Sequence, residues 1–166
     1  VVSSQFCLPL PINRNRKQLN MAYFWLNQRS TDRSRYNDEV GEMYHYRGTT
    51  PGRNQLSEED RFIYYRPGDY VIFGTGEIDY IEQQETNPIS ESKLKIDYFA
   101  HITEYQSFDP PIRLKNTNGN NLQNTISFLK DRPGLTGVPQ HSIHKISEED
   151  FKRIIEAREG KVESVE

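Results

Sequence analysis

The chain has one cysteine, Cys7, in 166 residues, which excludes an internal disulfide, and no Cys/His cluster has zinc-ligand spacing. A reducing, cytoplasmic setting is therefore expected. No apolar run approaches membrane-spanning length and the N-terminus has no signal-peptide stretch, so no membrane contact is expected. Catalytic signatures are missing as well. There is no glycine-rich phosphate loop, no H-E-x-x-H, no G-x-S-x-G, and no acidic residues at nuclease metal spacing. The short glycine pair of "GTGEI", Gly74 and Gly76, resembles a nucleotide loop only superficially. No catalytic residue, metal or cofactor is implied, and any nuclease activity is expected in a fused domain or partner. Strong charge is absent too: the net charge of -3 does not fit a protein that coats nucleic acid through bulk electrostatics.

What the chain does have is aromatic residues, 11% of the total, gathered with β-branched residues in short runs. Such clustering marks a folding chain, and the length suits one domain. Charge is unevenly spread. Arg14, Arg16, Lys17, Arg29, Arg33, Arg35, Arg47 and Arg53 make the first third basic, while "SEED" occurs twice and acidic residues gather in the middle and at the C-terminus.

Residues 1–20 show no period of two or 3.6 and read as an extended lead-in or an expression remnant. The domain is expected over residues 21–158, with a frayed charged tail at 159–166. "AYFWLNQ" is a strand run ending in the polar trio Asn27, Gln28 and Arg29. "RFIYYRPGDYVIFGTGEI" predicts a hairpin about Arg66-Pro67-Gly68-Asp69. "LKIDYFAHITEYQSF" predicts a further strand, closed by "PPIRL" because proline cannot continue a central strand. Asn124 or Thr125 is placed to cap a short helix through "TISFLKD". Ser147-Glu148-Glu149-Asp150 has the form of a capping box, with Phe151, Ile154 and Ile155 on one apolar face. The fold class is α+β.

In this order, "YFWLNQ", the hairpin with its Gly74-x-Gly-Glu-Ile strand, "IDYFAHI" and "LTGVPQHSIHKISEEDFKRIIEA" resemble an EVE domain of the PUA-like superfamily, related to YTH and ASCH domains. "GEMYHYRG" followed by "RFIYYRPG" is most similar to EVE-type domains fused to nucleases in modification-dependent restriction systems. The resemblance implies a PUA-like curved mixed sheet or pseudo-barrel flanked by helices. It also implies a pocket for a modified base, flipped out of double-stranded DNA or, in a YTH-like alternative, presented by single-stranded RNA. A modified cytosine such as 5-methylcytosine is the first expectation and methyladenine the second. YTH domains cage methyladenine with tryptophans and this chain has only Trp25; EVE domains commonly carry lysine where Asn27 stands.

An extruded base loses stacking and pairing, which a reader replaces with aromatic faces and hydrogen bonds. Tyr44, His45, Tyr46 and Tyr65 are the candidate stacking residues, Asn27 and Gln28 the base-edge contacts, and Arg29, Arg47 and Arg53 the phosphate contacts. His141 and Ser142 belong to a strand with one face able to line the pocket. Each aromatic has a structural alternative, since alternation in "RFIYY" sends Phe62 and Tyr64 to one face and Ile63 and Tyr65 to the other. The competing class of function is a protein- or RNA-interaction domain sharing only the fold.

Overall fold

The computed structural model describes residues 21–29, 38–86, 95–114, 122–130, 132 and 137–159. The expected lead-in over 1–20 and the tail after Glu159 lie outside them. Six strands, β1 (Tyr23–Asn27), β2 (Met43–Arg47), β3 (Arg61–Arg66), β4 (Val71–Thr86), β5 (Lys95–Arg113) and β6 (Ile143–Ile146), precede one α-helix, α1 (Glu148–Arg158). They form one mixed sheet in the order β2-β5-β4-β3-β1-β6. Only β1 and β3 pair in parallel.

Both faces of this sheet are dry, and the pleat decides which residue serves which face. Ile63 and Tyr65 join Trp25, Ile72, Leu122, Ile126 and Leu129 in one core, to which α1 adds Phe151 and Ile154. Phe62 and Tyr64 join the other, with Phe24 and Leu26 of β1, Tyr44 and Tyr46 of β2, and Phe73 and Ile78 of β4. Three strands separate β1 from β2 in the sheet order, so a core that contains both requires the sheet to curl on itself. The curl is a pseudo-barrel, not a closed one. No ladder joins β2 to β1 or β6; instead the Tyr44 hydroxyl lies 3.1 Å from the Asn27 carbonyl and 3.0 Å from that of Ser142. One O–H shared between two carbonyls thus bridges the gap.

The β3–β4 hairpin forms as expected, turning through Pro67 and Gly68, the latter at φ 94°. Three expectations need correction. Pro110 and Pro111 do not end β5, which runs on to Arg113. Between the pairs Gly74–Ser107 and Ile72–Ile112, one β4 residue faces four on β5, so the prolines sit in a bulge where no ladder N–H is demanded.

The segment "TISFLKD" is not an α-helix: a 3-10 turn at Leu122–Asn124 is followed by turns to Lys130. Its cause is local competition, because the Ser127 N–H and hydroxyl both donate to the Asp150 carboxylate and Thr125 Oγ donates to Leu122 O. α1 is therefore the only α-helix among the described residues. Its capping box is half formed. Ser147 Oγ accepts from Asp150 N at 3.1 Å, while the Asp150 side chain reaches across to Ser127 instead of back to Ser147.

Candidate functional site

The sheet curl brings the end of β1 against the residues that lead into β2. The two consecutive polar residues there have different fates. Asn27 is a tie: its Oδ1 accepts from Trp25 Nε1, and its Nδ2 donates to the carbonyls of Pro139 and His141, each at 2.9 Å. Both amide donors are thus engaged by the fold, on backbone carbonyls. His141 and Ser142 act here through their backbone carbonyls, Ser142 accepting from Asn27 N–H and from Tyr44. The His141 side chain is exposed.

Gln28 is different. Its side chain is buried, and its Nε2 donates to Arg29 O and to Asp38 Oδ2, each at 3.3 Å. The reverse amide orientation would set oxygen against the Arg29 carbonyl. Gln28 Oε1 therefore points the other way, buried and with no hydrogen-bond partner among the described residues.

Asp38 completes this corner. Its Oδ1 accepts from the His45 N–H at 2.6 Å, and burial raises its proton affinity above the ordinary carboxylate range, with the hydrogen bonds from His45 and Gln28 opposing. Beside it stands Tyr64, fully buried, its hydroxyl pushed far above the usual tyrosine range by burial first and by the Asp38 charge second. The Tyr105 ring meets Tyr64 edge-on at 6.0 Å. A β5 bulge aims that ring: Glu104 has φ 52°, and Tyr105 lies flat on two bare glycines, where a Cβ would fall 2.5 Å away at Gly41 and 2.7 Å away at Gly74. Side chains at either glycine would displace the ring. Asp38 and Tyr105 were not among the residues singled out from sequence. Asp38 carries no motif, and its neighbours depend on the curl.

The folded carboxyl of Asp38 holds its proton better than the unfolded one. Its contribution is thus most favourable below the unfolded pKa and is lost as pH rises through the folded one. The stability margin of wild type over Asp38→Asn is expected to shrink from pH 4 to pH 7 in urea unfolding; a margin that grows with pH would refute this sign.

The aromatic residues expected to stack on a base are placed elsewhere. Tyr44 and Tyr46 are 2% and 1% exposed, and Tyr46 stacks on Tyr98 at 5.2 Å. Tyr65 packs against Trp25 in the helix-side core, and burial pushes its hydroxyl up to about 12. These three lie in the cores, and the period of two says why: Tyr44 and Tyr46 share the inner face. His45, between them, faces outward, stacked on Phe99 at 4.5 Å with Nε2 3.3 Å from Asp97 Oδ1.

Arg29 and Arg47 are exposed, and Arg53 is half-buried in the turns after β2. In that segment Gly52, at φ 83°, lies so close to β6 that a Cβ would fall 2.7 Å from Ile143 O. Among the described residues no group of three His, Cys, Asp or Glu is arranged to hold a metal, and no helix is long and apolar enough to cross a membrane.

No family model matches this chain, and no curated protein does. Its fold is shared with solved structures. The N-terminal domain of Staphylothermus marinus McrB aligns at TM-score 0.54 and 11% identity, over 81% of this chain and 93% of that one. ASCH from Zymomonas mobilis aligns at 0.51 and 12% identity, over 81% and 94%. A Rhodopseudomonas palustris protein solved by NMR aligns at 0.50 and 16% identity, over 87% and 97%. With the curled mixed sheet, these likenesses place the fold among the PUA-like ones.

Proposed function

We propose that this chain is a nucleic-acid recognition module that receives a modified base, first of all a modified cytosine flipped from double-stranded DNA, at the Gln28–Asp38 corner. The observation that carries this reading is the buried, unpartnered Gln28 Oε1. A dry acceptor left unbonded costs about 1–3 kcal/mol, and the exocyclic amino group of cytosine or adenine supplies the missing donor. Asp38, whose proton affinity burial raises, stands beside Gln28 as a second polar group for the base edge. Tyr105, half-buried beside them, supplies aromatic surface. In the turn 39–42 Gly41 lies bare against the Tyr105 ring, and in this reading the turn swings aside to admit the base. Arg29, Arg47 and Arg53 hold flanking phosphates. The EVE resemblance supports a role as specificity domain for a fused or associated nuclease.

The test is an anisotropy titration with matched oligonucleotides, unmodified or carrying 5-methylcytosine, 5-hydroxymethylcytosine or N6-methyladenine, as DNA and as RNA. Wild type is expected to prefer one modified DNA, and binding is expected to weaken with salt. Gln28→Met, which keeps the length and removes the acceptor, is expected to reduce that preference about tenfold, as loss of one good base-edge contact does. Equal binding of every oligonucleotide by wild type, or undiminished preference in Gln28→Met, would defeat the reading. With magnesium or zinc added, the isolated chain is expected to leave the DNA intact; nicking that persists through purification would place catalysis in this chain.

A further inference from the structure

The row Phe62, Tyr64, Arg66 on β3 shares the inner face, and its last member has no counter-charge. The guanidinium of Arg66 lies 4.3 Å above the Phe73 ring, and Phe73 stacks in turn on Tyr64 at 5.2 Å with the planes 6° apart. A column therefore runs from Arg66 down to the tyrosine beside Asp38.

Arg66 is half-buried, and its Nε is buried with no hydrogen-bond partner among the described residues. Arg153 bonds Glu149 and Thr125 O, and Arg158 bonds the neutral side chain of Gln106. Ser107 pairs with Gly74, next to Phe73; it hydrogen-bonds the Tyr105 hydroxyl, which senses the positive charge of Arg66. A desolvated cation without an anion is unfavourable. Arginine beside hydroxyl donors is also the arrangement that binds a phosphate oxygen.

We infer that Arg66, with the Ser107 and Tyr105 hydroxyls, forms an oxyanion site that takes a backbone phosphate of the nucleic acid bound at the Gln28–Asp38 corner. The inference rests on the function proposed above for its ligand, and on the unpaired guanidinium for its chemistry. Arg66 orients the strand by one phosphate. A phosphate contact reads no sequence, so its loss should weaken modified and unmodified DNA alike.

Two measurements test this. In the first, the Arg66 Nε–Hε resonance is assigned through Arg66→Lys and followed by NMR on addition of inorganic phosphate and, separately, of a short modified duplex. The resonance is expected to move with both, and more at equal phosphate concentration with the duplex. In the second, Arg66→Gln, checked for an unchanged melting profile, is titrated with the duplex across salt concentrations. Affinity is expected to fall about five- to twentyfold for all oligonucleotides, with the salt slope reduced by about one contact. Arg66→Lys, which keeps charge but lacks Nε, is expected to recover part of the affinity. Arg158→Gln, on the other core, is expected to change neither.

If wild type binds the duplex while Arg66→Gln binds it equally with the same slope, the site is refuted and the proposed function stands. If wild type binds no oligonucleotide but inorganic phosphate moves the Arg66 resonance, the oxyanion site stands, and both the proposed function and this source of the phosphate fall. A resonance indifferent to both additions overturns the inference outright.

Discussion

Asp150→Ala is expected to lower stability by about 2–4 kcal/mol, the range for removing a buried carboxylate from charge-assisted hydrogen bonds. Asp150 is 1% exposed and does three things at once. Its Oδ1 accepts from Ser127 N at 2.8 Å and its Oδ2 from Ser127 Oγ. Its charge sits in the first turn of α1, where the helix dipole favours an anion. It also has Arg153 at 3.8 Å. Asp150 bonds the turns of 122–130 to the first turn of α1, a link that Arg153 reinforces through Thr125 O and Glu149, and those two segments jointly cover the Trp25 and Tyr65 face. Ser127 itself is exposed, so water can replace part of what is lost and the cost stays below that of an orphaned core donor. Asp150→Asn keeps one acceptor and should cost less. Urea unfolding with an unchanged m-value measures it; a loss under about 1 kcal/mol would mean that the carboxylate is a bystander.

The two copies of Ser-Glu-Glu-Asp show where sequence reading stops. At 147–150 the Ser147 hydroxyl caps α1 as its local pattern says, because Phe151 and Ile154 continue with helical spacing over a face to be buried. At 57–60 the same four residues make the bond the first copy lacks: Asp60 Oδ2 accepts from Ser57 N at 2.8 Å. No helix follows, since Arg61–Arg66 alternates and pairs with both β1 and β4. Asp60 spends its other oxygen on Ala22 N, 38 residues away. The tetrapeptide fixes a turn, and the partners beyond it are set by residues distant in sequence.

The same limit divides the candidate site. Gln28 was legible as a polar residue closing an apolar strand, and the hairpin was legible from its turn residues. Asp38 and Tyr105 were not, because one is a lone acid after a polar stretch and the other is aimed by a bulge that local pattern does not reveal. Arg66 read as a turn flank; only the stacking beneath it and the absence of a carboxylate make it notable. The prolines of β5 misled in the opposite direction. A rule about ladder hydrogen bonds was applied where the ladder had already opened.

Tyr46→Ala carries the second large effect, because this candidate stacking residue lies in the core. Tyr46 is 1% exposed, and burial drives its hydroxyl well above the ordinary tyrosine range. Its ring lies parallel to that of Tyr98 across the β2–β5 pair, 9° between planes, in the core that holds Phe24, Leu26 and Tyr64. Alanine there removes an aromatic ring from an edge strand that is paired on one side only and otherwise bridged by the Tyr44 hydroxyl. The expected loss is about 3–5 kcal/mol, a large share of the stability of an ordinary domain. Tyr46→Phe preserves the packed volume and should fall within about 1.5 kcal/mol of wild type. His45→Ala, on the outer face and stacked on one ring, should cost less than Tyr46→Ala. Nucleic-acid binding lost in Tyr46→Ala is therefore expected to return at lower temperature, in step with the folded fraction seen by circular dichroism. A Tyr46→Ala protein that stays within 1 kcal/mol of wild type yet no longer distinguishes modified DNA would reverse the assignment and put that ring against the ligand.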